Sequence, residues 1–208
     1  MLHAKAVAPR TLGLLKRLMQ LPALDQFVLV GGTNLALRFG HRLSVDFDLF
    51  SCETFDPELL YAEIRESMPE TEFLASNPNM LFLFIENIKT DLVRLPFPYI
   101  APVETVEEIR LASVPDIVAM KLSAISQRGV KKDFWDIAEL LDHYSIGEML
   151  DFFREKYGQR DVFYVLRSLV YFGDAEAQAD PDLLEKTTWE EVKDKMQTAV
   201  RSYVREQA

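Results

Sequence analysis

GGTNLALRFGHRLSVDFDLF, residues 31–50, decides the fold. Its last six residues, Val45 to Phe50, alternate apolar and other side chains with a period of two. That pattern predicts a strand with Asp46 and Asp48 on one face and Val45, Phe47 and Leu49 on the other. Just before the stretch, the apolar run Phe27 to Val30 stops at Gly31-Gly32, which reads as a buried strand running into a tight turn. Between the two strands, Asn34 to Phe39 has the composition of a short helix that Gly40 ends.

Working outward, Leu12, Leu14, Leu15, Leu18 and Met19 repeat at helical spacing before the breaker Pro22. Asp56-Pro57 supplies a cap and a first-turn proline for a helix from Glu58 to about Ser67. Met80 to Glu86 and Ile88 to Leu95 read as strands joined at a turn near Glu86-Asn87, and Val106 to Leu111 as one more edge strand or short helix. From Ser113 the character changes. Ser113 and Asp116 have capping-box spacing, and helices follow over 117–127, 134–142, 146–157, 162–172 and 189–206. The fold class is therefore α+β, with a mixed sheet and helices over residues 1–112 and a helical bundle over 113–208. The absence of a Gly/Ser linker at the boundary predicts halves that pack closely around a cleft.

Paired carboxylates on one strand face repel each other, and aspartate is depleted in strands. A pair standing alone more often forms a solvated polar face. A hard divalent cation neutralises such a pair, and Mg²⁺ in particular keeps several waters and is completed by substrate phosphates. The context favours that use. Gly31 and Gly32 let backbone approach a phosphate, the helix start behind them offers unpaired N–H groups, and the Thr33 hydroxyl adds a donor. Arg42 and Ser44 lie between this turn and the acid pair. Asp91, on the face of its strand opposite Ile88, Thr90 and Leu92, is the best third carboxylate, completing a metal set and helping to deprotonate an attacking hydroxyl. In the second half, Lys121 and Arg128 are seven residues apart, on one helix face and within reach of one polyphosphate. Gly129 then lets a further helix begin near Lys132-Asp133. Asp133 stands equally to pair with Arg128 or Lys132 and orient it.

Residues 31–50 resemble the signature of the AbiEii/AbiGii toxin-like nucleotidyltransferases: a GGT turn, a GHR segment, a serine and a DxDLF strand in this order. KLSAISQRGVKKDFWDIAELL, residues 121–141, is similar to the helical half of the same family, with a lysine, an arginine, then KD, an aromatic and a second aspartate. The resemblance implies a polymerase-β-type nucleotidyltransferase fold, an NTP substrate, and Mg²⁺ as cofactor with Mn²⁺ as an alternative. It also implies a role as the toxin of a toxin–antitoxin pair or phage-defence system, with a cognate antitoxin as partner; some relatives modify the acceptor end of tRNA. By the same resemblance Lys121 contacts nucleotide phosphates, Lys132 and Asp133 lie at the catalytic cleft, and Asp136 is structural. Asn34 departs from the small alanine of many relatives.

The expected activity is transfer of a nucleotidyl group from an NTP to an acceptor hydroxyl on RNA, such as a tRNA 3′ end, or on protein. Asp46, Asp48 and Asp91 would hold the metal, Lys121 and Asp133 would join them in catalysis, and Gly31, Gly32, Thr33, Arg42, Ser44, Lys121, Arg128 and Lys132 would bind the nucleotide. The alternatives are a nucleotide-binding interaction protein without transfer, and a kinase-like phosphotransferase. A net charge of −10 weighs against an extended nucleic-acid contact. Residues 1–42 carry six basic side chains against one acid, so a phosphate-bearing ligand is best met there unless those side chains form solvated helix faces. A single cysteine, Cys52, excludes an internal disulfide framework, and His3, His41 and His143 are too scattered for a metal cluster. No apolar run reaches the ~20 residues of a membrane span, so a cytoplasmic protein is expected.

Overall fold

The computed structural model describes residues 1–158 and 161–207. The chain divides into two compact units, Met1–Ser113 and Val114–Ala208. The first is built on a mixed sheet of strands β1 (Val28–Val30), β2 (Phe47–Ser51), β3 (Thr71–Asn77), β4 (Met80–Ile85), β5 (Ile88–Arg94), β6 (Glu104–Val106) and β7 (Ile109–Leu111). Their order across the sheet is β3-β4-β5-β2-β1-β7-β6. β2 runs parallel to β5 and β1 parallel to β7, while β1–β2, β3–β4, β4–β5 and β6–β7 are antiparallel. Helices α1 (Pro9–Met19), α2 (Gly31–Phe39) and α3 (Pro57–Ser67) complete the unit.

Alternation fixes which face is buried. Phe47 and Leu49 of β2, Thr90 and Leu92 of β5, and Leu81, Leu83 and Ile85 of β4 are all inside. Leu14, Leu15 and Leu18 of α1, whose helical spacing the sequence shows, pack into the same core. Val45 departs from the expected face. It is 62 % exposed, because β2 begins only at Phe47 and the residues before it belong to the incoming loop. The segment read as one edge strand or short helix is the hairpin β6–β7. Its turn, Glu107-Glu108, and the β4–β5 turn, Glu86-Asn87, both have positive φ at their two central residues. This is the turn geometry that follows the right-handed twist of the flanking strands. The acids of these hairpins are also where N-terminal basic side chains go: Arg10 and Arg17 pair with Glu86, Lys16 with Glu108 and Arg38 with Glu104. These contacts give Arg10, Lys16, Arg17 and Arg38 acidic partners on the hairpins of the sheet.

The second unit holds α4 (Val114–Gln127), α5 (Lys131–Leu140), α6 (Ile146–Tyr157), α7 (Phe163–Leu169) and α8 (Trp189–Glu206). α6 and α8 each start at a reciprocal capping box, Ser145 with Glu148 and Thr188 with Glu191. The core includes stacked Trp135 and Trp189, centroids 5.1 Å apart, with Phe134 and Phe172 set edge-on to Trp189. Asp116, which has capping-box spacing from Ser113, is buried outright and receives Lys156 Nζ at 2.7 Å. Among the described residues no helix is long and apolar enough to cross a membrane.

Two outcomes follow. Lys156→Met leaves Asp116 buried and without this counter-charge, so chemical denaturation is expected to show a loss of about 3–5 kcal/mol. Adding Asp116→Asn should recover part of it. The Glu191 carboxyl is held below the usual range, first by the Thr188 backbone N–H and then by its hydroxyl. A lowered folded pKa contributes stability above the ordinary glutamate value of about 4.3, and that stability disappears as pH falls through the lowered value. Thermal melts across the acid range should therefore show the advantage of wild type over Glu191→Gln shrinking to nothing.

Candidate active site

The site on the first unit is assembled by strand register. β2 lies between β1 and β5, with Asp48 opposite Val30 on one side and beside Asp91 on the other. In parallel strands such partners project from the same face, so the carboxylates of Asp48 and Asp91 are immediate neighbours. Both are half-buried, as is Asp46, which precedes β2 in the loop. One oxygen of Asp91 accepts from Lys89 Nζ at 2.5 Å, while the other, Oδ1, is buried without a hydrogen-bond partner.

Gly31 is the seat for Asp48. Its φ is +69°, and a Cβ built there would lie 2.2 Å from Asp48 Oδ2. The glycines are the first turn of α2 rather than a turn ahead of it, since the helix begins at Gly31. Helix-start N–H groups and the helix dipole favour an anion here, which helps a carboxylate to be tolerated on a strand. A Cβ on Gly32 would meet Arg42 Nη2 at 2.1 Å, so the second glycine admits the buried Arg42 guanidinium. Arg42 Nη1 donates to the Leu43 carbonyl at 3.0 Å.

Thr33 has another task than the anion donor expected from sequence. Its hydroxyl donates to the Asp46 carbonyl and lies 2.8 Å from Ser44 Oγ. With its one proton on Asp46, it tethers the loop that delivers the acid pair; Ser44 is then the donor in their contact. Asn34 has a structural role that sequence reasoning does not reach. It is fully buried, its amide donates to the carbonyls of Leu29 (2.9 Å) and Ala112 (3.0 Å), and it accepts from Arg38 Nε. It thereby clips β1 to the end of β7. The available signal is an asparagine set directly before the apolar Leu35, Ala36 and Leu37.

On the second unit, Lys121 Nζ sits 2.6 Å from Asp133 Oδ1 and 2.5 Å from Asp136 Oδ2, with all three side chains buried. Asp136, expected to be structural, is thus an equal partner of Lys121. Asp133 pairs with Lys121 rather than Lys132, and its second oxygen, Oδ2, is buried with no hydrogen bond; Arg128 Nε stands 3.9 Å away. Arg128 is 66 % exposed and lies just beyond the end of α4, so it approaches Asp133 from the α4–α5 turn. Lys132 is exposed, and its neighbour Lys131 is the buried lysine, bonded to the Gln178 carbonyl and Asp180.

The chemistry of the first set suits a hard cation. Mg²⁺ asks for one or two carboxylates and leaves the rest of its shell to water and phosphate. Asp48 and Asp91 in register, with one buried oxygen unpartnered and an ammonium already on the other, meet that demand. The expected set of three does not close by itself: among the described residues no group of three or more His, Cys, Asp or Glu side chains forms a metal-binding cluster. Asp46 stands in the loop, outside the strand pair.

Gly31→Ala forces a side chain into left-handed backbone and against Asp48, so urea denaturation should show a loss of about 1–3 kcal/mol. Gly13→Ala is the control of opposite sign. Gly13 is an exposed position inside α1 where a Cβ meets nothing within 4 Å, and alanine there is expected to add about 0.5–1 kcal/mol.

An uncharacterized protein of Aquifex aeolicus is 31 % identical over 196 residues, covering 91 % of this chain and 94 % of its own. An H. pylori protein described as a candidate nucleotidyltransferase superposes with a TM-score of 0.58 at 17 % identity, over 96 % of both chains. The nucleotidyltransferase toxin MenT4 from Mycobacterium tuberculosis superposes with a TM-score of 0.53 at 15 % identity, over 95 % of this chain and 84 % of its own. The model of the family described as "Nucleotidyl transferase AbiEii toxin, Type IV TA system" matches residues 13–76 and 82–207. Matched across both of its units, the chain belongs to the AbiEii family of nucleotidyltransferase toxins.

Proposed function

We propose that this protein transfers a nucleotidyl group from an NTP to an acceptor hydroxyl on RNA or protein. It would act as a cytoplasmic toxin balanced by an antitoxin, in growth control or phage defence. The observation that carries the chemistry is the parallel register of Asp48 with Asp91, seated against Gly31 at the start of α2. In-line transfer forms a bond from the acceptor oxygen to the α-phosphorus and breaks the bond to the β-phosphate oxygen, releasing pyrophosphate. The hydroxyl proton would go to a carboxylate, for which Asp91, beside Asp48 in register, is the candidate.

Asp46, Asp48 and Asp91 are the residues that would hold Mg²⁺ or Mn²⁺, which when bound supplies charge neutralisation for the triphosphate. The backbone of Gly31 and Gly32 at the α2 start, together with Arg42 and Ser44, forms the anion-binding side of this unit, with Thr33 holding the loop in place. In the helical unit, Arg128 and the exposed Lys132 are the cations that reach a phosphate. Lys121 fixes Asp133 and is itself fixed by Asp136.

Incubation of the purified protein with Mg²⁺, α-labelled NTPs, total RNA and protein extract tests the reading. Label should pass to an acceptor from the α position and not from the γ position. Asp48→Asn and Asp91→Asn should each reduce it by about 10²–10³-fold. Label arriving only from the γ position would make the protein a phosphotransferase.

A further inference from the structure

Lys89 has no part in the transfer scheme above, yet its ammonium already sits on the acid pair. On β5 it precedes Asp91 by two residues, so both side chains leave the same face of the sheet, the face opposite buried Thr90 and Leu92. Its ammonium folds back along the strand to Asp91 Oδ2 at 2.5 Å. It passes over the ring of Phe82, 5.8 Å from the centroid, and Phe82 is the residue facing Asp91 on β4. The Asp91 side chain is 17 % exposed and that of Lys89 43 % exposed.

These numbers set the electrostatics. Two neighbouring carboxylates, each half-buried, carry like charges that raise the energy of the folded chain unless a cation sits between or beside them. Lys89 supplies such a cation from within the strand. The bond is not a strong one, because a half-exposed lysine loses rotamer freedom to make it and solvent screens the pair. Lys89 can therefore leave by rotating its four-carbon stem, with no change in backbone. Asp91 Oδ1 is buried, so a divalent cation arriving from solvent meets Oδ2, the oxygen that the ammonium now covers, and the two positive charges repel there.

Resting on the metal-dependent reading above, we propose that Lys89 is a built-in competitor for the catalytic cation. It neutralises Asp91 when metal is absent and is displaced when metal binds, setting the metal concentration at which the acid pair loads. It is a positioning residue and does not act on substrate. The ammonium holds the Asp91 carboxylate against the sheet beside Asp48, so the pair keeps its place before a metal arrives.

Mn²⁺ binding to the full-length protein without nucleotide, followed by calorimetry and by the loss of the free Mn²⁺ paramagnetic signal, tests this. Lys89→Gln should bind Mn²⁺ about three- to tenfold more tightly than wild type, Lys89→Arg should stay close to wild type, and Asp91→Asn should lose the site. Thermal melts give a second readout that also reports folding. Metal-free Lys89→Gln should melt below wild type, and saturating Mn²⁺ should raise its melting temperature by more than it raises that of wild type. A merely structural lysine would give the first change without the second. Equal or weaker Mn²⁺ binding by Lys89→Gln overturns the competitor role and leaves the metal reading standing. Absence of Mn²⁺ binding in both proteins overturns the metal reading and the inference with it.

Discussion

The parallel pairing of β2 with β5 is the constraint on which the first unit depends. Its register aligns Phe47 with Thr90 and Leu49 with Leu92, and all four side chains are buried. A slip of β2 by one residue would turn Phe47 and Leu49 outward and drive Asp48 into the core. The free energy of apolar burial therefore enforces the neighbouring positions of Asp48 and Asp91, although the two charges oppose it. The surroundings lower that opposition in two ways. Gly31 opens the backbone so that Asp48 lies at the first turn of α2, and Lys89 covers Asp91. Glycine and lysine are two answers to one electrostatic problem that the strand register creates.

The rest of the unit is held to this frame by polar clips that span long stretches of sequence. The Arg110 guanidinium donates to the carbonyls of Met19, Leu24 and Phe27, joining the end of α1 and the entrance to β1 to strand β7. Burial lowers its pKa from the usual arginine value, against the pull of Asp25, and the three hydrogen bonds it donates compensate for water lost by the charge. Asn34 and Arg38 both reach the Ala112 carbonyl from α2. Because α2 carries Gly31 at its start and Asn34 and Arg38 along its length, clipping the helix to the end of β7 also fixes where the glycine seat for Asp48 lies.

The sequence is most legible where a pattern is local. Residues 47–50 alternate because one face is buried, and the alternation alone puts Asp48 on the face turned away from the core. The starts of α6 and α8 are legible because each cap and its acid are three residues apart. Strand β3 is hidden. It lies at the sheet edge, only its first residue is buried, and its pairing shifts between Phe73 and Ala75, so no alternation survives. Val45 misleads because alternation in sequence continues two residues beyond the strand. The candidate metal-site acids can be found from face and charge, but the contacts of Lys89 and Asn34 cannot. A lysine at an outward strand position and an asparagine in a helix look ordinary until the register shows which carboxylate or carbonyl lies next to them.

The helical unit offers two buried ionic arrangements that differ in composition. Lys156 and Asp116 meet as one cation and one anion, both fully enclosed. Such a pair contributes little net stability but specifies how its helices meet, because any other packing leaves a bare charge in the core. Lys121 instead stands between Asp133 and Asp136, and Asp133 Oδ2 has no hydrogen bond. Spacing on one helix puts the two aspartates three residues apart on one face of α5, so the arrangement is built into the sequence and is no accident of packing. That second oxygen of Asp133 is buried, with Arg128 Nε 3.9 Å away. The acid pair on the sheet shares the feature: a resident ammonium covers one oxygen of Asp91, and the other is buried without a hydrogen bond.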